Sequence, residues 1–142
     1  MGDGHILFPM LALMGWTFLV LIQIPIRRFR AGFQRRVSAD DFKYGESARV
    51  PGDVSLPNRN LMNLLEVPVI FYFVCVLYYV THQHLGGFVF LAWLYVALRV
   101  MHSLIHLSYN HVRHRLLPFA ASNAVVITLW LRLTLALVLD NA

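Results

Sequence analysis

The sequence predicts an all-α integral membrane protein, one domain over residues 1–142 built as a bundle of four transmembrane helices. Three observations carry this reading. Of 142 residues, 58% are hydrophobic and only 13% charged, with a mean hydropathy of +0.61, which lies outside the range of soluble domains. Four apolar runs each approach the roughly 20 residues that a hydrocarbon core about 30 Å thick demands. The basic residues gather between those runs instead of covering one soluble face. The formal charge of +5 therefore points to orientation on a lipid bilayer and away from nucleic acid.

The helices are expected near residues 6–26, 61–80, 88–107 and 116–139. The amino terminus, Met1-Gly2-Asp3-Gly4-His5, lacks the basic region of a signal peptide, and Ile6 stands where a myristoylation motif has Ser or Thr. The first run is thus expected to stay in the mature chain. The connection 27–59 is long and basic, with eight of the twelve Lys and Arg residues, and Ser38-Ala39-Asp40-Asp41 is a weak capping-box pattern within it. Between the second and third runs lies only Thr81–Gly87, whose Gly-Gly pair suits a tight turn between antiparallel neighbours. The last connection adds Arg113 and Arg115. The single cysteine, Cys75, sits in an apolar run; it excludes an intrachain disulfide and a thiolate metal cluster and reads as packing.

Polar groups enter the second run at Arg59-x-x-x-Asn63-x-x-Glu66, which on one helix share a face. Pro68 follows and, inside a helix, would free the carbonyl of Leu64 and kink the span. Ionisable groups at membrane depth face a bundle interior or an aqueous cavity. The third run carries a second stripe, Arg99, His102 and His106, flanked by Tyr95 and Tyr109. A structural reading has Arg99 neutralise Glu66 while the histidines bond to backbone. A haem or metal reading is disfavoured, because both histidines lie on one helix with no facing histidine or Glu-x-x-His motif on the second.

These stripes, with Pro68 and Phe71 after the first and Arg113 and Arg115 ahead of the fourth run, resemble the MAPEG superfamily, the membrane-associated proteins of eicosanoid and glutathione metabolism. The resemblance covers nearly the whole chain and is nearest to the microsomal glutathione transferase and prostaglandin E synthase-like members. It implies a homotrimer with glutathione bound between adjacent subunits at the cytoplasmic end. It assigns Arg59, Asn63, Glu66 and His102 to glutathione-binding positions, Arg27 to a helix 1 arginine that reaches the ligand, and Arg115 to the arginine that activates the thiol. For Arg27 a snorkelling interfacial side chain is the alternative, and for Asn63 a cap on the carbonyl freed by Pro68. Arg99 matches a family arginine with a ligand or structural role. Two positions depart from the eicosanoid enzymes: His106 stands where they have tyrosine, as a hydrogen-bond donor or a core histidine, and Met62 replaces an arginine.

Glutathione brings two carboxylates, an ammonium and a thiol, so its site needs two cations, an anion and a group that stabilises thiolate. The sequence contains that complement. Pro118 is expected in the first turn of the fourth helix, leaving helix-start donors beside Arg115; Arg113 is the alternative, or a solvated cation. The function implied is a membrane-bound glutathione transferase or peroxidase acting on a lipophilic electrophile, held by apolar residues of the first and fourth helices. The competing readings are a non-catalytic lipid- or partner-binding relative and a small subunit of a larger membrane complex.

Ten of twelve cations lie in or beside two connections, which predicts cytoplasmic basic loops and extracytoplasmic termini. Reporters fused at either terminus and within 27–59 should respond from opposite sides of the membrane. A terminal reporter on the loop's side would overturn this orientation.

Overall fold

The structure is a computed structural model that describes residues 3–140, and all regular secondary structure among them is helical. Met1 and Gly2, on which the amino-terminal processing argument partly rests, lie outside the described residues. Five α-helices form: α1 Leu7–Phe33, α2 Gly52–Leu65, α3 Val67–Val80, α4 Phe88–Leu107 and α5 Val112–Asp140. The helices α2 and α3 are halves of one span, so four helical segments are long and apolar enough to cross a bilayer. The chain is a multi-pass membrane protein with the helical bundle expected from its apolar runs.

The helix ends correct the sequence reading in one direction. Helix α1 continues beyond Ile26 to Phe33, α2 starts at Gly52 instead of Leu61, and α5 starts at Val112 instead of Leu116. All three extensions lie on the basic side. Polar residues end an apolar run without ending a helix, so hydropathy marks where lipid stops and not where hydrogen bonding stops. Pro118 consequently lies inside α5 and not in its first turn, where its missing N–H leaves the carbonyl of His114 without a helical donor. The carboxyl ends of α1 and α3 close alike, with Arg36 and Gln83 N–H donating back to the carbonyls of Ala31 and Tyr78. Each of these closures requires a left-handed residue just before the donor, and Arg35 and His82 supply it in place of glycine.

What remains of the long basic connection is residues 34–51, ordered by acidic side chains. Ser38 caps a short 3-10 helix, Ala39–Phe42, in a complete capping box. Asp41 Oδ2 accepts from the Ser38 N–H at 2.9 Å, and Oδ1 accepts from Ser47 Oγ at 2.8 Å. These bonds, the Ser38 N–H foremost, lower its pKa to about 2. Arg28 pairs with Glu46 at 2.9 Å and lies over the Phe42 ring, while Arg36 grips both carboxylate oxygens of Asp53.

Within the bundle α5 packs chiefly on α4, and α1 on α2. Aromatic rings lock α3 to α4: Phe71 stacks on Tyr95 with centroids 4.4 Å apart, and Tyr78 on Phe88 at 4.2 Å. Gly87, at φ +75°, turns the chain into α4, and the preceding Gly86 carbonyl accepts a 2.7 Å bond from Arg132, so that charge meets protein at the rim of the bundle. Phe18, Phe73 and Phe90 stay exposed around the outside, as suits helices solvated by lipid tails. One polar knot ties three helices: Ser103 Oγ on α4 accepts from Trp16 Nε1 on α1 at 2.9 Å and from the buried Asn60 amide on α2.

Removing the shared acceptor orphans two donors at once. Ser103→Ala should destabilise the protein by about 1–3 kcal/mol, read as a lower melting temperature in detergent; an unchanged melting temperature would mean that Trp16 and Asn60 find other partners. The depressed Asp41 carboxyl gives the loop a pH dependence. Its stabilising charge is present above the ordinary carboxylate value of 3.8 and is lost as pH falls towards about 2. Asp41→Asn should accelerate proteolytic nicking within 34–51 several-fold at neutral pH, with the difference from wild type closing as the medium is acidified.

Candidate functional site

The site is organised by the interruption between α2 and α3. Glu66 adopts φ −87° and ψ −98°, which ends α2 and opens α3, and Pro68 occupies the first turn of α3. The expected kink is thus a full break, because Pro68 sits where a missing N–H removes no helical bond. Ending α2 at Leu65 strands its last carbonyls. Arg99, buried on α4, donates to the carbonyl of Asn63 among them. A cation at a helix carboxyl end is favoured by the helix dipole as well as by the hydrogen bond.

The break redirects the polar stripe of α2. Asn60 takes the fully buried position, Asn63 is half-buried, and Arg59, Met62 and Glu66 are exposed. Asn63 Nδ2 donates to the Arg59 carbonyl at 3.1 Å, not to the carbonyl of Leu64. Among the described residues no direct ion pair joins Arg99 to Glu66, whose charge acts on the guanidinium from a longer distance. The Nε and Nη1 of Arg99 remain buried without partners, and its guanidinium carbon lies 5.6 Å from the Phe119 ring centre.

Facing this break, α4 and α5 form the other wall. His102 Nδ1 lies 2.8 Å from the Arg115 carbonyl; since a carbonyl only accepts, Nδ1 donates, and the buried Nε2 is left without a partner. His106, one turn on, is buried with its Nδ1 unpartnered and meets His102 edge-on at 5.9 Å. Arg115 Nη1 donates to Asn110 Oδ1 at 2.8 Å, which anchors the guanidinium to the α4–α5 turn. Arg113 is exposed and does not line the cleft. Asn63, His102, Arg115 and Phe119, with Val112 and Leu116, line an open cavity of about 200 Å³.

Of the sequence-derived candidates, the structure gathers Asn63, His102 and Arg115 around one cavity and sets Arg99 and His106 directly behind it. It does not bring Arg27 there. Arg27 donates to the Asp53 carbonyl at 3.0 Å and lines a separate polar cleft of about 540 Å³ with Arg30, Gln34 and Arg36. Arg59 and Glu66 are exposed and do not line the cavity at Arg115. Among the described residues, no three of His, Cys, Asp and Glu are disposed to share a metal ion. Sequence reasoning missed Asn60, Ser103 and Trp16, although Asn60 three residues before Asn63 and Ser103 beside His102 are polar residues at helical spacing that pointed inward.

The cavity is small beside pockets that take a whole ligand of drug size, about 300–1,000 Å³. What it has is a cation, an imidazole and an amide at the polar end of an apolar bundle, with further unpaired donors behind them. Such a set can hold an anion and favour the ionised form of an acid. No curated protein and no solved structure gives a significant match to this chain. Residues 6–135, however, match the MAPEG family throughout, from the start of α1 to the last turns of α5. The chain belongs to the MAPEG family.

Proposed function

We propose that the protein is a membrane-bound glutathione transferase or peroxidase, working as a homotrimer in which each site is completed by the neighbouring subunit. The observation that carries this reading is the divided site: Asn63, His102 and Arg115 line a cavity of about 200 Å³, while Arg59 and Glu66 are exposed. A tripeptide with two carboxylates, an ammonium and a thiol needs more room and more charge than one chain offers. A second copy presenting Arg59, Glu66 or Arg27 supplies both. The microsomal glutathione transferase and prostaglandin E synthase-like members are the relatives this chemistry fits.

In this reading Arg115 acts on the thiol. Its Nη1 is committed to Asn110, and the remaining guanidinium N–H groups are available to stabilise a sulfur anion. A free thiol with pKa near 8.5 is only a few per cent ionised at neutral pH. A depression of about one to two units, roughly 1.4–2.7 kcal/mol of differential interaction, makes the thiolate substantial. In conjugation the thiolate electron pair forms the carbon–sulfur bond, and the electrons of the breaking bond leave on the departing atom. In peroxide reduction two thiols become a disulfide while the hydroperoxide becomes an alcohol and water. His102, locked by the Arg115 carbonyl, is a positioning residue for that arginine, and its Nε2 faces a ligand as an acceptor.

Reduced glutathione at 100 times its dissociation constant should stabilise the folded protein by about 2.7 kcal/mol, seen as a raised melting temperature that Glu66→Gln diminishes. In the bound state the thiolate absorbance should titrate below the free thiol, and Arg115→Ala should return it towards the free value while Arg113→Ala does not. A melting temperature indifferent to millimolar glutathione would favour the non-catalytic, lipid-binding reading. Normal thiol titration in Arg115→Ala would remove that residue from the chemistry.

A further inference from the structure

Residues 108–111 join α4 to α5, and one of them does more than turn the chain. Asn110 has a left-handed backbone at φ 47°, one of three such non-glycine residues among those described. Its N–H donates to the Ile105 carbonyl at 2.9 Å, which closes the end of α4. Its side chain reaches forward into the first turn of α5, where Oδ1 accepts from Arg115 Nη1 at 2.8 Å. The amide atom that faces the guanidinium is the oxygen, since arginine only donates.

Few side chains can fill both roles. Glycine suits a positive φ best but has no acceptor, and a β-branched or bulky residue is strained there. Asparagine and aspartate tolerate the left-handed region and carry a short acceptor. They differ in charge. An aspartate against Arg115 would cancel the field of the guanidinium at any anion beyond it, whereas a carboxamide accepts the hydrogen bond and leaves the charge whole. The bond also restrains a long, flexible side chain that otherwise turns to water or lipid phosphate. Arg115 is held at both ends, its carbonyl by His102 Nδ1 at 2.8 Å and its guanidinium by Asn110.

We infer that Asn110 is a positioning residue for the thiol chemistry, a neutral latch that fixes the Arg115 guanidinium at the cavity without neutralising it. This rests on the transferase reading, in which Arg115 stabilises the thiolate. With Nη1 held by the turn, Nε and Nη2 carry the donors left for an anion in the cavity that Arg115 lines. Donors stabilise a developing charge best when they are fixed before it forms. Asn110 touches neither ligand nor reacting atoms, and its effect passes wholly through Arg115. One residue therefore closes α4 with its backbone and sets the arginine of the site with its side chain.

The test follows the thiolate absorbance of bound reduced glutathione against pH, on the purified full chain in mild detergent. Wild type is compared with Asn110→Gly, Asn110→Asp, Arg115→Ala and the double variant Asn110→Gly/Arg115→Ala. Asn110→Gly keeps the left-handed turn and removes the latch. Its melting temperature without ligand should stay near that of wild type, while the midpoint of the thiol titration rises by roughly half a unit to one unit, a loss of about three- to tenfold in thiolate below the midpoint. Asn110→Asp keeps the turn and the acceptor but should raise the midpoint at least as far. A merely structural role predicts the reverse, because aspartate preserves the hydrogen bond. In the Arg115→Ala background Asn110→Gly should move the midpoint no further. A midpoint unmoved by Asn110→Gly, an Asn110→Asp that titrates with wild type, or a glycine effect that persists without Arg115 overturns the inference. The wild-type titration keeps the two readings apart. If it shows no depression of the thiol, the transferase reading falls and this inference with it; if it is depressed and Arg115→Ala restores it while Asn110→Gly does not move it, this inference alone falls.

Discussion

A guanidinium inside an apolar bundle is tolerable only where carbonyls are free to receive it, and the chain meets this requirement by breaking a helix. Arg99 donates to the Asn63 carbonyl that the interruption at Glu66 leaves without a helical partner. The two features explain each other: the open carbonyl of α2 would be costly without a donor, and the buried arginine would be costly without an acceptor. Much else follows from this contact. It fixes the register of α4 against the broken span, sets His102 toward α5, and puts the Phe119 ring beside the guanidinium.

The site inherits a division from that arrangement. Groups that α4 holds are buried, while Arg59 and Glu66 on the broken span are exposed. Arg99 and the two histidines retain unpaired nitrogen atoms, so the interior of one chain is polar beyond what its own contacts satisfy. The free N–H groups of Arg99 are pre-positioned donors of the kind an anionic ligand rewards, since they need no rearrangement when charge arrives. Exposed charges beside them suit recruitment by a second copy.

The bundle was legible in the sequence because lipid imposes a length and a polarity that few other folds meet. Arg99, His102 and Asn63 were legible for a related reason, as polar residues in hydrocarbon are rarely neutral in effect. Three things were hidden. Helix ends on the basic side were drawn short, because Arg27–Phe33 and Gly52–Asn60 are polar yet helical. The break at Glu66 reads as a kink when Pro68 is assumed to continue the helix, and a proline in a first turn has the same local sequence as one in an interior. The Trp16–Asn60–Ser103 knot depends on three elements far apart in the chain, and no spacing within one helix reveals such a meeting.

The unequal lengths of the helices carry a further meaning. Helix α4 has 20 residues and reaches about 30 Å, the thickness of the hydrocarbon layer, whereas α1 with 27 and α5 with 29 exceed 40 Å. Trp16 of α1 lies level with Ser103, so the surplus of α1 projects past the end of α4 at Leu107, among phosphates and water, whereas α5, level with α4 at their short turn, carries its surplus past Gly86 at the opposite end. His102 and Arg115 therefore sit at the border between two solvents. At such a border a water-soluble reagent and an oily one can be held side by side, and the phase boundary that otherwise keeps them apart is abolished.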